Sequence, residues 1–398
     1  MQATQGKFRA HWREVTGVFL KLGAVSYGGP AIMGIMQSEV QEKRAWLSKE
    51  NFVEGLALVN MLPGAGATQL GIFLGHARAG WWGGALAGLC FVLPALVIML
   101  VLTALYATYG ELPYARDIFY GLSPVVVGIF AMAVYRLGNA AIKDIKQTLL
   151  AIFAALAVLA SPLGIVTTLL LAGAVGVALY GSRTWGIVSA FSILAVFGLT
   201  LLSGFSPTPS VLPALTDVTP SSPPVADAAD VGVFFFKVGA FTFGGGLTML
   251  AFMQEQVVNQ LHWLTPQQFL DGLALGQLTP GPILMVAAFV GHKVAGFWGA
   301  LVGGLAIFLP SFIFMLSLLP VFGRIKQITW MKAALKGISP AVIGMIAVAL
   351  LQMLPHAVTD VPTGLLAVAT VAILSLWRFG PLPLMAGGGT IGILLSGG

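Results

Sequence analysis

The chain is 398 residues long, 58% apolar and only 9% charged, with a mean hydropathy of +0.93. Too few polar side chains exist to cover a water-soluble globule of that size, so the solvent of this protein is lipid. A formal net charge of +6 would suggest nucleic acid in a soluble protein, but most of the basic residues stand in short loops beside apolar runs, which argues for membrane orientation and against nucleic acid.

Apolar runs able to supply spans of about 20 residues recur from Val15 to the C-terminus, and no strand-period alternation competes with them. The expected fold is an all-α polytopic membrane protein. Lys7, Arg9, His11, Trp12 and Arg13 precede the first apolar run without a small-residue cleavage site, so no removable signal peptide is expected. Segments follow at roughly 14–38, 50–78, 80–109, 117–138, 147–160, 163–181 and 184–204. A further set runs roughly 231–254, 267–291, 296–322, 336–354, 361–377 and 381–396. Between the two sets, residues 206–230 hold many prolines and three aspartates without one Lys or Arg, which reads as an extended linker outside the membrane.

The two sets are copies. FLKLGAVSYGGP from Phe19 to Pro30 returns as FFKVGAFTFGGG from Phe235 to Gly246. Glu39 matches Glu255, EGLAL from Glu54 matches DGLAL from Asp271, and Pro63-Gly64 matches Pro280-Gly281. Gly75-His76, Trp82, Pro94 and Ser123-Pro124 recur as Gly291-His292, Trp298, Pro310 and Ser339-Pro340. The segment at 184–204 has no partner. The division expected is a first repeat at 1–183, a connecting helix and linker at 184–230, and a second repeat at 231–398.

The first two segments of each copy are broken, at Gly28-Gly29-Pro30 and Pro63-Gly64 in the first and at 244–246 and 280–281 in the second. Inside a bilayer such breaks survive only where they are buried in protein or line a polar cavity. Each broken segment is either a kinked span or a re-entrant hairpin. Hairpins place Lys43, Arg44 and Lys49 on the same side as Lys7, Arg9 and Arg13, leaving only Arg116 and Lys293 among basic residues in the loops of the other side. The unpartnered segment then carries the chain across, and the second copy enters from the opposite face. The expected architecture is an inverted repeat of two homologous halves, each beginning with two re-entrant segments, as in many alternating-access transporters. The N-terminus is expected on the cytoplasmic side of a bacterial inner membrane and the C-terminus on the periplasmic side.

Lys21 and Lys237 are the repeat-related cations within apolar runs. A lysine so close to a segment's start can snorkel to the interface, but an ionisable residue in a membrane is a functional candidate, and this one recurs before the same glycine turn. In a hairpin the second limb begins at the turn and aims its N-terminus, worth about half a positive charge, toward the midplane. Four such turns, at Gly28 and Gly29, Gly64, Gly244 and Gly245, and Gly281, suit a small anion. Ser26, Asn60, Thr68, Gln69, Thr242, Gln277 and Thr279 stand around them as neutral donors, or equally as interhelical glue. Glu54, Asp271, Glu39 and Glu255 recur in pairs as candidates for a coupled proton, or as helix-end and ion-pair residues near Lys43 and Arg44. Cys90 is the single cysteine, so neither a disulfide framework nor a thiolate metal site is expected. His76 and His292 read as interfacial, and no cofactor is called for. The sequence contains no GxxxxGK[ST], HExxH or GxSxG, which argues against a pump with its own phosphate loop and against an intramembrane enzyme.

With FLKLGAVSYGGP, LPGAGATQLG, FFKVGAFTFGGGL, LGQLTPGP and the paired Ser-Pro on the page, nearly the whole chain resembles the chromate ion transporter family in its long, two-domain form. The resemblance implies export of chromate, a tetrahedral dianion shaped like sulfate, with sulfate as a competitor and chromate resistance as the outcome. Gly246 stands where Pro30 does and Pro282 where Ala65 does, so the halves need not contribute equally. An oxyanion channel or a sulfate-type exchanger stays open beside the exporter, and a homodimer stays open as its assembly.

Overall fold

The computed structural model describes residues 2–27, 29–160, 164–202, 226–242, 246–321, 329–377 and 379–396. Gly28, Gly244, Gly245 and the central part of the linker therefore lie outside the described residues, and the rest is helical, with no strand among them. The first half contains α1 (Gln2–Val25), α2 (Gly29–Met36) with a π-helical end at Gln37–Glu42, α3 (Lys49–Met61), α4 (Gly66–Tyr109), α5 (Pro113–Ala141), α6 (Ile145–Ala160) and α7 (Gly164–Tyr180). After α8 (Arg183–Leu202) the second half repeats the order. It has α9 (Ala228–Ala240), α10 (Gly246–Met253) with a π-helical end at Gln254–Gln260, α11 (Pro266–Leu278), α12 (Val286–Ala306), α13 (Leu309–Leu318), α14 (Thr329–Ala357), α15 (Val361–Leu376) and α16 (Pro381–Ser396). Even the π-helical ends and the caps recur. Ser48 Oγ accepts from Asn51 N–H at the start of α3, and Thr265 Oγ1 accepts from Gln268 N–H at the start of α11.

The broken segments are hairpins, because residues far apart along each of them touch. Glu14 on α1 accepts a hydrogen bond from Trp46 Nε1 at 2.9 Å, and Lys21 lies 3.8 Å from Glu39. A chain that kinked and carried on would hold Glu14 and Trp46 more than about 40 Å apart. In α3 and α4 the same test holds, since a Cβ on Gly55 would meet the ring of Phe73, and one on Gly66 would meet Met33 and Val59. In the second half a Cβ on Gly272 would meet Phe289, and the rings of Phe234 and Trp263 stand 5.1 Å apart. All four pairs of limbs are antiparallel.

Helix α4 is itself folded back on itself. Ala79 and Gly80 leave helical geometry, Gly80 at φ 71°, and Gly75 then packs so tightly on Gly83 and Ala87 that a Cβ on Gly75 would run into the Gly83 carbonyl oxygen. Gly296, at φ 60°, reproduces this reversal in α12, with Gly291 against Gly299. Small residues at both contacts allow the backbones to approach, the usual means of close helix packing in lipid. The limb from 81 to 109 spans about 43 Å at 1.5 Å per residue, enough to cross the bilayer. Its Leu89, Leu93, Val97, Val101 and Leu105 are exposed at every fourth position while Val92, Leu96, Met99 and Thr103 are buried, so an apolar stripe faces lipid.

Two faces follow. One carries His11, Glu14, Lys43, Arg44, Trp46 and Arg78, with Arg78 Nη2 at 2.8 Å from the Glu14 carboxylate and Arg44 at 3.2 Å from Glu39. The other carries Glu111 and Arg116, Lys293 above the Tyr106 ring at 4.8 Å, and Tyr120 donating to Asp360 at 2.6 Å. Glu54 starts its re-entrant helix from the first face. Its repeat mate Asp271 starts from the second, where Tyr106, near the far end of α4, donates to it at 2.6 Å. The halves are inverted.

Candidate functional site

The two halves meet through their breaks, reciprocally. Gly64 N–H of the first half donates to the carbonyl of Thr242 at 2.6 Å, and Gly281 N–H of the second donates to the carbonyl of Ser26 at 2.6 Å. Gly64 and Gly281 hold φ of 126° and 95°, a region that glycine enters without penalty. Sequence dictates this position because Pro63 and Pro280 stop the preceding limbs, and glycine alone permits the reversal beside a crossing backbone.

At the Gly64 turn, Ala65 N–H donates to Ser311 Oγ at 2.7 Å, and Gln69 Nε2 donates to the Pro63 carbonyl at 2.6 Å. The N–H groups of Gly66, Ala67 and Thr68 precede the first intrahelical bond of α4, from Gln69 N–H to Ala65 O, so they are the orphan donors of a helix start. Thr68 Oγ1 and Gln69 Oε1 are buried and unpartnered here, and so is Ser26 Oγ at the Gly281 crossing. Such atoms are rare in folded proteins and call for water or a ligand. Ser26, Thr68 and Gln69 are fully buried, Thr242 and Thr279 nearly so.

Not every sequence candidate comes to this place. Thr242 Oγ1 and Thr279 Oγ1 return to their own helices, on Val238 O and Leu275 O. Gln277 is buried but Asn60, its repeat mate, is exposed. Lys21 and Lys237 are both exposed, each about a turn and a half before its break. Because the halves are inverted, Lys21 lies toward the first face and Lys237 toward the second. Gly29 opens α2, and Gly28, Gly244 and Gly245 fall outside the described residues.

The carboxylates differ from one another. Glu39 is held by Lys43, Arg44 and Lys21, whereas Glu255 takes its hydrogen bonds from Asn259 and Gln260, amides that occupy the repeat positions of Lys43 and Arg44. Glu54 is half-buried. Asp271 is buried and accepts from Tyr106 and from Gln267, which also donates to Ser123 Oγ. Replacing Asp271 with alanine strands the Tyr106 hydroxyl, while Gln267 keeps Ser123, so stability is expected to fall by about 1–3 kcal/mol, read as a lower Tm in detergent. An unchanged Tm in Asp271→Ala would contradict this reading. Ser311, Tyr106 and Gln267 are not candidates on sequence alone. For Ser311 the signal is a polar residue directly after Pro310, in an otherwise apolar stretch whose mate is Ala95.

An inverted pair of helical halves, joined at glycine turns around buried unpaired polar atoms, defines a multi-pass membrane protein of the transporter class. The chromate transporter family matches residues 13–177 and 229–393, one match per half, and this chain belongs to that family. It is 33% identical to a chromate transport protein of Cupriavidus metallidurans, over 96% of this chain and 92% of the relative. A chromate transport protein of Pseudomonas aeruginosa is 30% identical over 90% of this chain and 86% of its own length. An uncharacterized transporter of Methanocaldococcus jannaschii is 29% identical over 82% and 81%. No solved structure matches.

Proposed function

We propose that this protein is a secondary carrier that exports chromate from the bacterial cytoplasm, holding it where the glycine turns of the two halves meet. The observation that carries the reading is the pair of buried, unpartnered hydroxyls of Ser26 and Thr68 where the halves meet, beside helix-start N–H groups. Burial of the site supports a carrier over a pore, since an open channel would leave its lining wet. The inverted halves supply two equivalent packings, one opening toward each face, and alternation between them moves the anion without a continuous path.

Charge sets the direction. The face with Lys43, Arg44, Lys49 and Arg78 is cytoplasmic by the positive-inside rule, and moving a dianion outward across 100 mV is favoured by about 4.6 kcal/mol. Lys21 and Lys237 are then cations at the inner and outer mouths that draw the anion in. Asp271 and Glu54, at opposite mouths, are the carboxylates available for a coupled proton. Sulfate, of the same shape and charge, competes for the site, and export confers chromate resistance.

Radiolabelled chromate flux in proteoliposomes under an imposed potential tests the proposal. Saturable flux that follows the potential and is stimulated by anion on the opposite side is expected. Linear, non-saturating flux would establish a pore instead. Sidedness is tested by labelling from outside in cells: Thr359→Cys, in an exposed loop beside Asp360, is expected to react, and Lys49→Cys is not. Buried Cys90 gives little background. Labelling of Lys49→Cys from outside would reverse the orientation.

A further inference from the structure

The two crossings between the halves share one backbone plan and differ in chemistry. Around Gly64 the donors are plentiful: the N–H groups of Gly66, Ala67 and Thr68, the Thr68 hydroxyl and the Ser311 hydroxyl. The Ser311 oxygen already accepts from Ala65 N–H at 2.7 Å, so its proton is free to donate. The repeat-related lobe around Gly281 keeps the N–H groups of Ile283 and Leu284 but has fewer donors beyond them, since Met285 N–H is bonded to the Pro282 carbonyl at 3.1 Å. Counted from the turn, Pro282 stands for Ala65 and has no N–H, Met285 stands for Thr68, Val286 stands for Gln69, and Ala95 stands for Ser311. A Cβ on Gly281 would stand 2.8 Å from the Ala95 methyl, so carbon stands on the side where the Gly64 lobe has the Ser311 hydroxyl.

We infer that the carrier binds one oxyanion per chain, off the pseudo-twofold axis, in the lobe built by Gly66–Thr68 of the first half and Ser311 of the second, with Thr68 and Ser311 as binding residues. Two independent features converge there: a helix start with free N–H groups, and the fully buried, unpartnered side-chain oxygen of Thr68 on that same first turn. Ser311 carries the coupling between halves. It belongs to α13 but holds Ala65 of α4, so any movement of one half against the other changes the donor set around the anion. The Gly281 lobe keeps the same backbone crossing with one free side-chain donor, the Ser26 hydroxyl, where the Gly64 lobe has Thr68 and Ser311.

This inference rests on the proposed turn site, and the experiment separates the two. Equilibrium dialysis of radiolabelled chromate against purified, monodisperse full-length protein gives stoichiometry and affinity, and flux gives KM. One chromate per chain is expected. Thr68→Val, which keeps shape and removes the hydroxyl, and Ser311→Ala are each expected to weaken binding at least about tenfold, the value of one hydrogen bond to a charged group. Thr68→Ser is expected to restore it, which a purely structural role for the β-branched side chain would not predict. Met285→Leu, in the Gly281 lobe, is expected to stay within about twofold. Two chromates per chain, or a larger loss in Ser26→Ala than in Thr68→Val, would overturn the one-lobe inference while leaving the turn site in place. Unchanged affinity in Thr68→Val, Ser311→Ala and Ser26→Ala alike would remove the turn site itself.

Discussion

Gly64→Ala is expected to abolish chromate transport and to lower stability. A side chain at φ 126° is strained by about 1–2 kcal/mol before any contact is considered. The added Cβ would also stand 2.5 Å from Ser311 Oγ and 2.6 Å from Gln69 Nε2, so the bonds from Ala65 to Ser311 and from Gln69 to Pro63 could not both survive. Relief by moving the turn would draw Gly64 N–H away from the Thr242 carbonyl and uncouple the halves. Gly17→Ala is the matched control. It lies in α1 with nothing within 4 Å of its Cβ, and alanine there favours the helix by about 1 kcal/mol. Flux and Tm measured on both proteins decide the matter. Normal chromate flux by Gly64→Ala at equal folded protein would show that the turn is scaffolding.

The second large effect is expected at the mouths. Lys21→Ala should reduce flux by about tenfold or more and Lys237→Ala by less, because the two lysines have different company. Lys21 shares Glu39 with Lys43 and Arg44, and its loss leaves the carboxylate with less positive charge around it, on the path of an incoming anion. Glu255, at the repeat position, is already capped by amides, so removing Lys237 exposes no new negative charge. The double variant Lys21→Ala with Glu39→Gln should therefore recover part of the flux lost in Lys21→Ala, a coupling that a double-mutant cycle measures directly. These exposed groups act through a screened field, so the loss should deepen at low ionic strength. Near-normal flux in both single variants would return the lysines to a snorkelling role.

How much of this was legible in the sequence varies with the kind of interaction. Membrane residence, helical content, the duplicated unit and the breaks at Pro63-Gly64 and Pro280-Gly281 follow from composition, run length and local backbone chemistry, all of which act within a few residues. Loop charge alone favoured hairpins over kinked spans, and the contacts of Glu14 with Trp46 and of Gly55 with Phe73 bear it out. The family resemblance is likewise confirmed over both halves. The candidate site was legible only in part. Gly64, Gly281, Ser26, Thr68, Gln69 and Thr242 do stand at the two crossings, but Lys21, Lys237 and Asn60 are exposed.

The sequence by itself determined that there are two copies of one broken-helix unit in lipid, because hydropathy, proline and glycine act on the chain locally. The tertiary structure decided which copy touches which. Only in three dimensions does the N–H of Gly64 reach Thr242, Ala65 reach Ser311 across 246 positions of chain, and Tyr106 reach Asp271. Those pairings arise from inversion of one half against the other. Inversion brings together positions that no local periodicity links, so which turn meets which is set by tertiary packing alone.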